Sequence, residues 1–379
     1  MLTLLLLLSC RNDVDQVDLG NWSVAIDTTS GTLDLTHPSG ASLTGLRFVH
    51  GTGSVEDVEM NLGAWAFRDE ALDMELPDGI AEPRDRQKQP PLLVEFVANG
   101  QRFGNLVIGP IDDDRLQLSY TPASSGPDRV GFQADCDPDD HFMGLGGHAM
   151  DVDHVGQAFP LWVAEPGVGK SLDEEEPESF PLEGTRHDAS FPVPFVVRPH
   201  QPMGLLFDTY GRVLVDLCAS DPARWEMVAW SSRADLILTG KSTPLQVVQE
   251  HTRTSGRLEL PPPWVFGAWG DAIRGRERVE EVAAELRTLG AAVTVIWSED
   301  WKGAVETPTG FRLKGEWFAD ETLYPDIDSL DDELEDLGFK WFGYFSPFLD
   351  VGDQTYEDAL ANDVVVKDEA GEPYTFYGV

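Results

Sequence analysis

Three consecutive prolines, Pro261-Pro262-Pro263, separate two stretches whose hydrophobic periods differ, and that change limits the fold more than any other feature. From Trp22 to about Gly240 the signal is period-two alternation in short runs: Trp22 to Ile26, Leu93 to Val97, Leu116 to Tyr120, Gly204 to Phe207, Val213 to Leu217 and Leu236 to Leu238. Side chains that alternate inward and outward over many short strands predict an N-terminal β-sandwich. The acidic insertion Asp173 to Glu178 reads as a solvated loop within it. After the prolines, strand and helix patterns alternate. The reading there is strand Val265 to Trp269, helix Arg278 to Leu289 stopped by Gly290, strand Val293 to Trp297, helix Ser329 to Leu337 stopped by Gly338, and strand Trp341 to Phe345. Such βα units predict a parallel barrel or a doubly wound sheet. A connector helix lies between the two stretches, with Thr243 as N-cap, Pro244 at the first helical position, Leu245, Val247 and Val248 as its apolar set, and Gly256 as the stop.

The 379 residues, 41% hydrophobic and 10% aromatic, suffice for two packed cores. The formal net charge of −40 argues against a nucleic-acid partner, which needs a basic footprint. It also means that any anionic ligand must be met by local cations. At the N-terminus, the apolar residues Leu2 to Leu8 are far fewer than the ~18 of a membrane span. Leu7-Leu8-Ser9-Cys10 resembles a bacterial lipobox, which implies a lipid-anchored protein with Cys10 as its lipidated first residue. Arg11 after that cysteine is similar to lipoproteins sorted to the outer membrane. Cys136 and Cys218 suit either a disulfide or two buried thiols.

The chemistry concentrates at Val295-Ile296-Trp297-Ser298-Glu299-Asp300-Trp301-Lys302-Gly303, where an apolar run ends in adjacent carboxylates between tryptophans. Carboxylates bind sugar hydroxyls, and indole faces cover the apolar faces of a pyranose. Glu299 and Asp300 are not a catalytic pair, because strand neighbours point to opposite faces while a retaining glycosidase needs carboxylates about 5 to 5.5 Å apart and facing each other. A comparable aromatic and acidic run is Phe159-Pro160-Leu161-Trp162-Val163-Ala164-Glu165-Pro166-Gly167-Val168-Gly169.

Together these two stretches resemble the retaining α-glycosidases of glycoside hydrolase family 31, and within it the sulfoquinovosidases. The resemblance implies the domain order 1–20 signal and tether, 21–242 β-sandwich, 243–262 connector and 263–379 the first βα units of a (β/α)8 TIM barrel. A full barrel takes ~250 residues. The family's nucleophile and acid/base aspartates follow its fourth and sixth strands, so the catalytic pair is expected beyond Val379, and 1–379 alone is expected to be inactive. Family chemistry is double displacement through a glycosyl-aspartate, with no metal or organic cofactor.

The resemblance assigns substrate binding to Arg274, Trp297, Glu299, Asp300, Trp301, Arg312 and Lys314. Glu299 matches a Glu or Gln of the sulfoquinovosidases, Arg274 falls where they place Lys or Gln, and Arg312 takes the place of the sulfonate-binding arginine. Gly315 departs, standing where those enzymes carry a tryptophan. Trp162 and Glu165 match a loop that reaches toward the barrel mouth, and Met143 to His148 resembles the family's Gly-Leu-Gly-Glu segment, with a plain glycine-rich turn as the other reading. The alternatives are an α-glucosidase or α-xylosidase of the same family and a non-catalytic carbohydrate-binding lipoprotein.

Other chemistries find little support. Ala164 to Ser171 fits a permissive P-loop, but Asp173 to Pro177 beside it would repel phosphate and break the helix such a loop needs. His141, His148, His154 and His187 lack zinc-ligand spacing, and no Gly-x-Ser-x-Gly elbow is present.

Overall fold

A computed structural model describes residues 14–61, 64–81, 90–164, 186–308 and 310–375. The lipobox, Glu165, the acidic insertion and nearly all of the P-loop-like stretch lie outside the described residues. The chain divides into two compact units, Met1–Arg257 and Leu258–Val379.

In the first unit, two antiparallel sheets of nine and eight strands share one apolar core. The alternation that predicts strands also decides what is buried: in Trp22–Asp27 the side chains of Trp22, Val24 and Ile26 are inside, and those between are half-exposed. All six expected strands are present, as Trp22–Asp27, Leu92–Ala98, Arg115–Pro122, Met203–Phe207, Val213–Leu217 and Ala234–Gly240. Phe48 stacks on Tyr120 at 4.7 Å, and Phe132 meets Trp225 edge-on at 5.1 Å. Each such fully buried side chain contributes about 1.5–3 kcal/mol relative to exposure, and truncation of Phe132 to Ala would cost about 3–5 kcal/mol.

A long hairpin, Ser42–Asn61 with Ala64–Glu75, has no counterpart in the sequence reading, because its far half is rich in polar residues and glycine. The segment around Met143 is a short strand, Met143–Gly146, rather than a plain turn. Its register shifts between Gly144 and Gly146, which adopt φ of +110° and +101°. A disulfide joins Cys136 to Cys218. The connector helix is Pro244–Ser255, capped by the Thr243 hydroxyl, which accepts from the Gln246 N–H at 3.3 Å. Of its apolar set only Val247 is buried.

The second unit holds three neighbouring parallel strands in the order Ala268–Asp271, Val293–Ser298, Lys340–Gly343. The first lies later than the expected Val265 to Trp269, and Pro263–Phe266 is a 3-10 helix. Proline fixes φ and removes a ladder donor, which favours the turn. Thr294 ties that turn down by donating to the Trp264 carbonyl at 2.7 Å. The helices Arg276–Thr288 and Ile327–Asp336 place Val279, Ala283, Leu330 and Leu334 in a core with Ile296 and Phe339. Arg276 bridges the two helices, donating to Glu280 at 2.6 Å and Glu333 at 2.7 Å.

The register aligns Asp271 with Trp297 and Ser298 with Gly343, so the three strands end at a common level. Two further elements were not anticipated: the hairpin Ala304–Thr307 with Gly310–Leu313, and the helix Gln354–Ala361.

Candidate active site

Everything the sequence marks as chemical in the second unit lies just past the C-terminal ends of these strands, the end at which parallel barrels carry function. Asp300 is 2% exposed. One of its carboxylate oxygens accepts the Arg274 backbone N–H at 2.8 Å, and the other accepts the Tyr324 hydroxyl. Expected as a ligand for sugar hydroxyls, Asp300 instead fixes the loop after the first strand, where Arg274 sits at φ +84°. That angle costs a non-glycine residue about 1–3 kcal/mol, and the Asp300 bond helps to hold it.

Glu299 is half-buried. Burial first, then the charges of Asp271 and Asp300, push its carboxyl above the ordinary range.

The tryptophans divide similarly. Trp297 is half-buried, with its ring edge-on to Tyr344 at 6.3 Å. Trp301 is 9% exposed, and its indole donates to the Tyr344 carbonyl at 2.9 Å. The platform expected at Trp301 is therefore part of the core, and the exposed aromatic side chains past these strands include Trp317, Phe318, Tyr344, Phe345 and Phe348.

Arg274 lays its guanidinium over the Phe311 ring at 4.8 Å and pairs with Glu306 at 2.8 Å. Arg312 donates from one nitrogen to both oxygens of Asp350, at 2.9 and 2.8 Å. The Gly315 N–H reaches the same carboxylate at 3.0 Å. A Cβ at Gly315 would lie 2.5 Å from the Asp350 backbone nitrogen, so the Leu349-Asp350 backbone fills the space that a tryptophan at 315 would need. Lys314 pairs with Asp320 at 2.9 Å and does not replace that indole. The neighbouring segments are tied together further: Glu316 accepts from the N–H groups of Gln354 and Thr355, both at 3.0 Å, and the Trp317 indole donates to the Ser346 carbonyl at 3.0 Å.

The sequence reading missed Lys302 and Asp350. Lys302 is 2% exposed, with its ammonium over the Tyr344 ring at 5.3 Å. Its place next to Asp300-Trp301 was the available signal, whereas the pairing of Arg312 with Asp350 spans 38 residues and leaves no local pattern. In the first unit, Trp162 meets Phe67 edge-on at 5.5 Å. Among the described residues no group of three or more His, Cys, Asp or Glu could hold a metal ion.

Residues 258–378 match the model described as the glycosyl hydrolases family 31 TIM-barrel domain. That part of the chain carries a domain of glycoside hydrolase family 31. Among its curated relatives, the chain is 25% identical over 335 residues to the sulfoquinovosidase of Escherichia coli (strain K12), covering 86% of this chain and 48% of the relative. It is 27% identical over 245 residues to the sulfoquinovosidase of Agrobacterium fabrum, covering 63% of this chain and 36% of the relative. The chain thus spans about half or less of the curated relatives it matches. Among solved structures, a family 31 sulfoquinovosidase from E. rectale in complex with the aza-sugar inhibitor IFGSQ superposes with a TM-score of 0.75 at 19% identity, covering 96% of this chain and 53% of that one. A family 31 α-xylosidase from a soil metagenome superposes with a TM-score of 0.54 at 16% identity, covering 97% of this chain and 44% of that one.

Proposed function

We propose that this chain is the substrate-recognising part of a retaining α-glycoside hydrolase that releases a terminal α-linked sugar bearing an anionic substituent, as sulfoquinovose does. The observation that carries this reading is the gathering of Arg274, Lys302, Arg312 and Lys314 on the loops past the barrel strands, in a chain whose net charge is −40. An acidic protein repels anionic sugars at long range, and such a cluster offsets that repulsion where the sugar binds.

Trp297 supplies an apolar face for the ring, Glu299 and Arg274 bind hydroxyls, and Arg312 offers the sulfonate its remaining N–H groups. Asp300 and Lys314 act through the loops they fix. The nucleophile and the acid/base, proposed to come from the fourth and sixth barrel strands, would form and hydrolyse a glycosyl-aspartate without a cofactor. We also propose a lipid anchor at Cys10 and export to the cell envelope. The Cys136–Cys218 disulfide supports this, since disulfides persist in oxidising compartments.

One observation favours a second reading, an α-glucosidase or α-xylosidase: Asp350 already engages Arg312, and Gly315 leaves no indole beside it. The experiment is to follow by NMR the sugar released from an aryl α-sulfoquinovoside by the full-length enzyme. First appearance of the α-anomer supports the proposal, and first appearance of the β-anomer, or no release, rejects it.

A further inference from the structure

Of the four cations at the rim, three are paired: Arg274 with Glu306, Arg312 with Asp350 and Lys314 with Asp320. Lys302 is the exception. It is the most deeply buried of the four, yet among the described residues its ammonium makes no hydrogen bond or ion pair and contacts the Tyr344 ring at 5.3 Å. Asp350 acts on it only through space and is already bound by Arg312 and the Gly315 N–H. Burial pulls the pKa of Lys302 down against the attraction of Asp350.

The stem of Lys302 is buried, while its ammonium pairs with no carboxylate and is not sealed from solvent, so an anionic ligand can complete it. Tyr344 immediately follows the third barrel strand and Lys302 lies just past the second, so the ammonium stands between two strand ends on the functional side. Lys302, Arg312 and Asp350 together carry two positive charges and one negative. Asp353 and Glu316 lie close by as well, so what sets Lys302 apart is that Arg312 is engaged by Asp350 while Lys302 pairs with no carboxylate.

Resting on the reading of an anionic sugar, we propose that Lys302 is the specificity-determining cation of the site: it supplies the charge that balances the substrate's anionic substituent, while Arg312, neutralised by Asp350, contributes hydrogen-bond geometry. A planar guanidinium with one nitrogen engaged still has donors to offer a tetrahedral oxyanion. The excess charge has to come from elsewhere, and Lys302 is the buried group that provides it.

The experiment measures kcat/KM of the full-length enzyme for matched aryl α-sulfoquinovoside and aryl α-glucoside, in wild type, Lys302→Met, Lys302→Arg and Arg312→Ala. Lys302→Met is expected to lower the sulfonated-to-neutral ratio by about 100-fold, the scale of a lost charge-assisted pair. Lys302→Arg, which keeps the charge, should restore the ratio to within about tenfold of wild type. Thermal unfolding without ligand gives an independent readout. Lys302→Met should unfold at or above the temperature of wild type, because it keeps the packing of the stem and removes a charge that pairs with no carboxylate. A structural lysine would give the reverse. If Lys302→Met unfolds lower and leaves the ratio unchanged while Arg312→Ala collapses it, Lys302 is structural and the inference fails, though the anionic-sugar reading stands. A wild type that prefers the neutral glucoside overturns that reading and, with it, the role given to Lys302.

Discussion

Asp350 receives two hydrogen bonds from a single nitrogen of Arg312, at 2.9 and 2.8 Å, and a third from the Gly315 N–H at 3.0 Å. The residue expected to meet a sulfonate is therefore already holding a carboxylate of its own chain, and the segments after the second and third parallel strands are clamped through it.

This clamp should be sensitive to acid. Burial pushes the Asp350 carboxyl up, but the Arg312 and Gly315 hydrogen bonds outweigh it and hold the group below its ordinary value. A carboxyl with a depressed folded pKa adds stability above its unfolded pKa and loses it as pH falls through the folded value. Thermal midpoints of wild type and Asp350→Asn should therefore differ most near neutrality and converge below about pH 4, where the carboxyl is protonated in the unfolded chain. A difference that widens toward acid would show that the clamp does not depend on ionised Asp350.

Asp300 is expected to be a stability residue more than a binding one. Asp300→Ala leaves the Tyr324 hydroxyl and the Arg274 N–H without acceptors in a buried place, a loss of about 1–3 kcal/mol. Urea unfolding of the 379-residue polypeptide measures it, and a loss under about 0.5 kcal/mol would mean that water replaces the carboxylate.

Residues 1–379 by themselves are expected to give no glycosidase turnover. Asp300 has both oxygens engaged in holding its own loop, and Glu299 is its chain neighbour, so the two do not supply a nucleophile and an acid on opposite sides of a glycosidic bond. Release of nitrophenol from an aryl α-glycoside by the purified 379-residue polypeptide would contradict this.

Cys10→Ala should move the expressed protein from the detergent phase to the aqueous phase, as the loss of a lipid anchor requires. Unchanged partitioning would remove Cys10 as the anchor.

How much could be read from the sequence depended on whether a pattern was local. Trp22, Val24 and Ile26 are recognisable because a strand alternates, and Val279 and Ala283 because a helix repeats every 3.6 residues. Past Ser298 the strand ends and so does the alternation, which is why the opposite fates of Trp297 and Trp301 could not be told apart. The burial of Lys302 and its isolation from a partner depend on Tyr344 and Asp350, more than 40 residues on, and no spacing rule reaches that far. Gly315 could be seen as a departure from the sulfoquinovosidases, but its physical cause, the backbone at Leu349-Asp350, appears only in three dimensions.

The central claim is that a strongly acidic chain builds a rim for an anionic sugar. Its most direct measurement is the ratio of kcat/KM for an aryl α-sulfoquinovoside to that for the matching aryl α-glucoside, in the wild-type full-length enzyme across ionic strength. A ratio well above one is expected at every salt concentration, with the absolute rate on the sulfonated substrate rising as added salt screens the protein's long-range negative field. A ratio below one, at low and high salt alike, would contradict it.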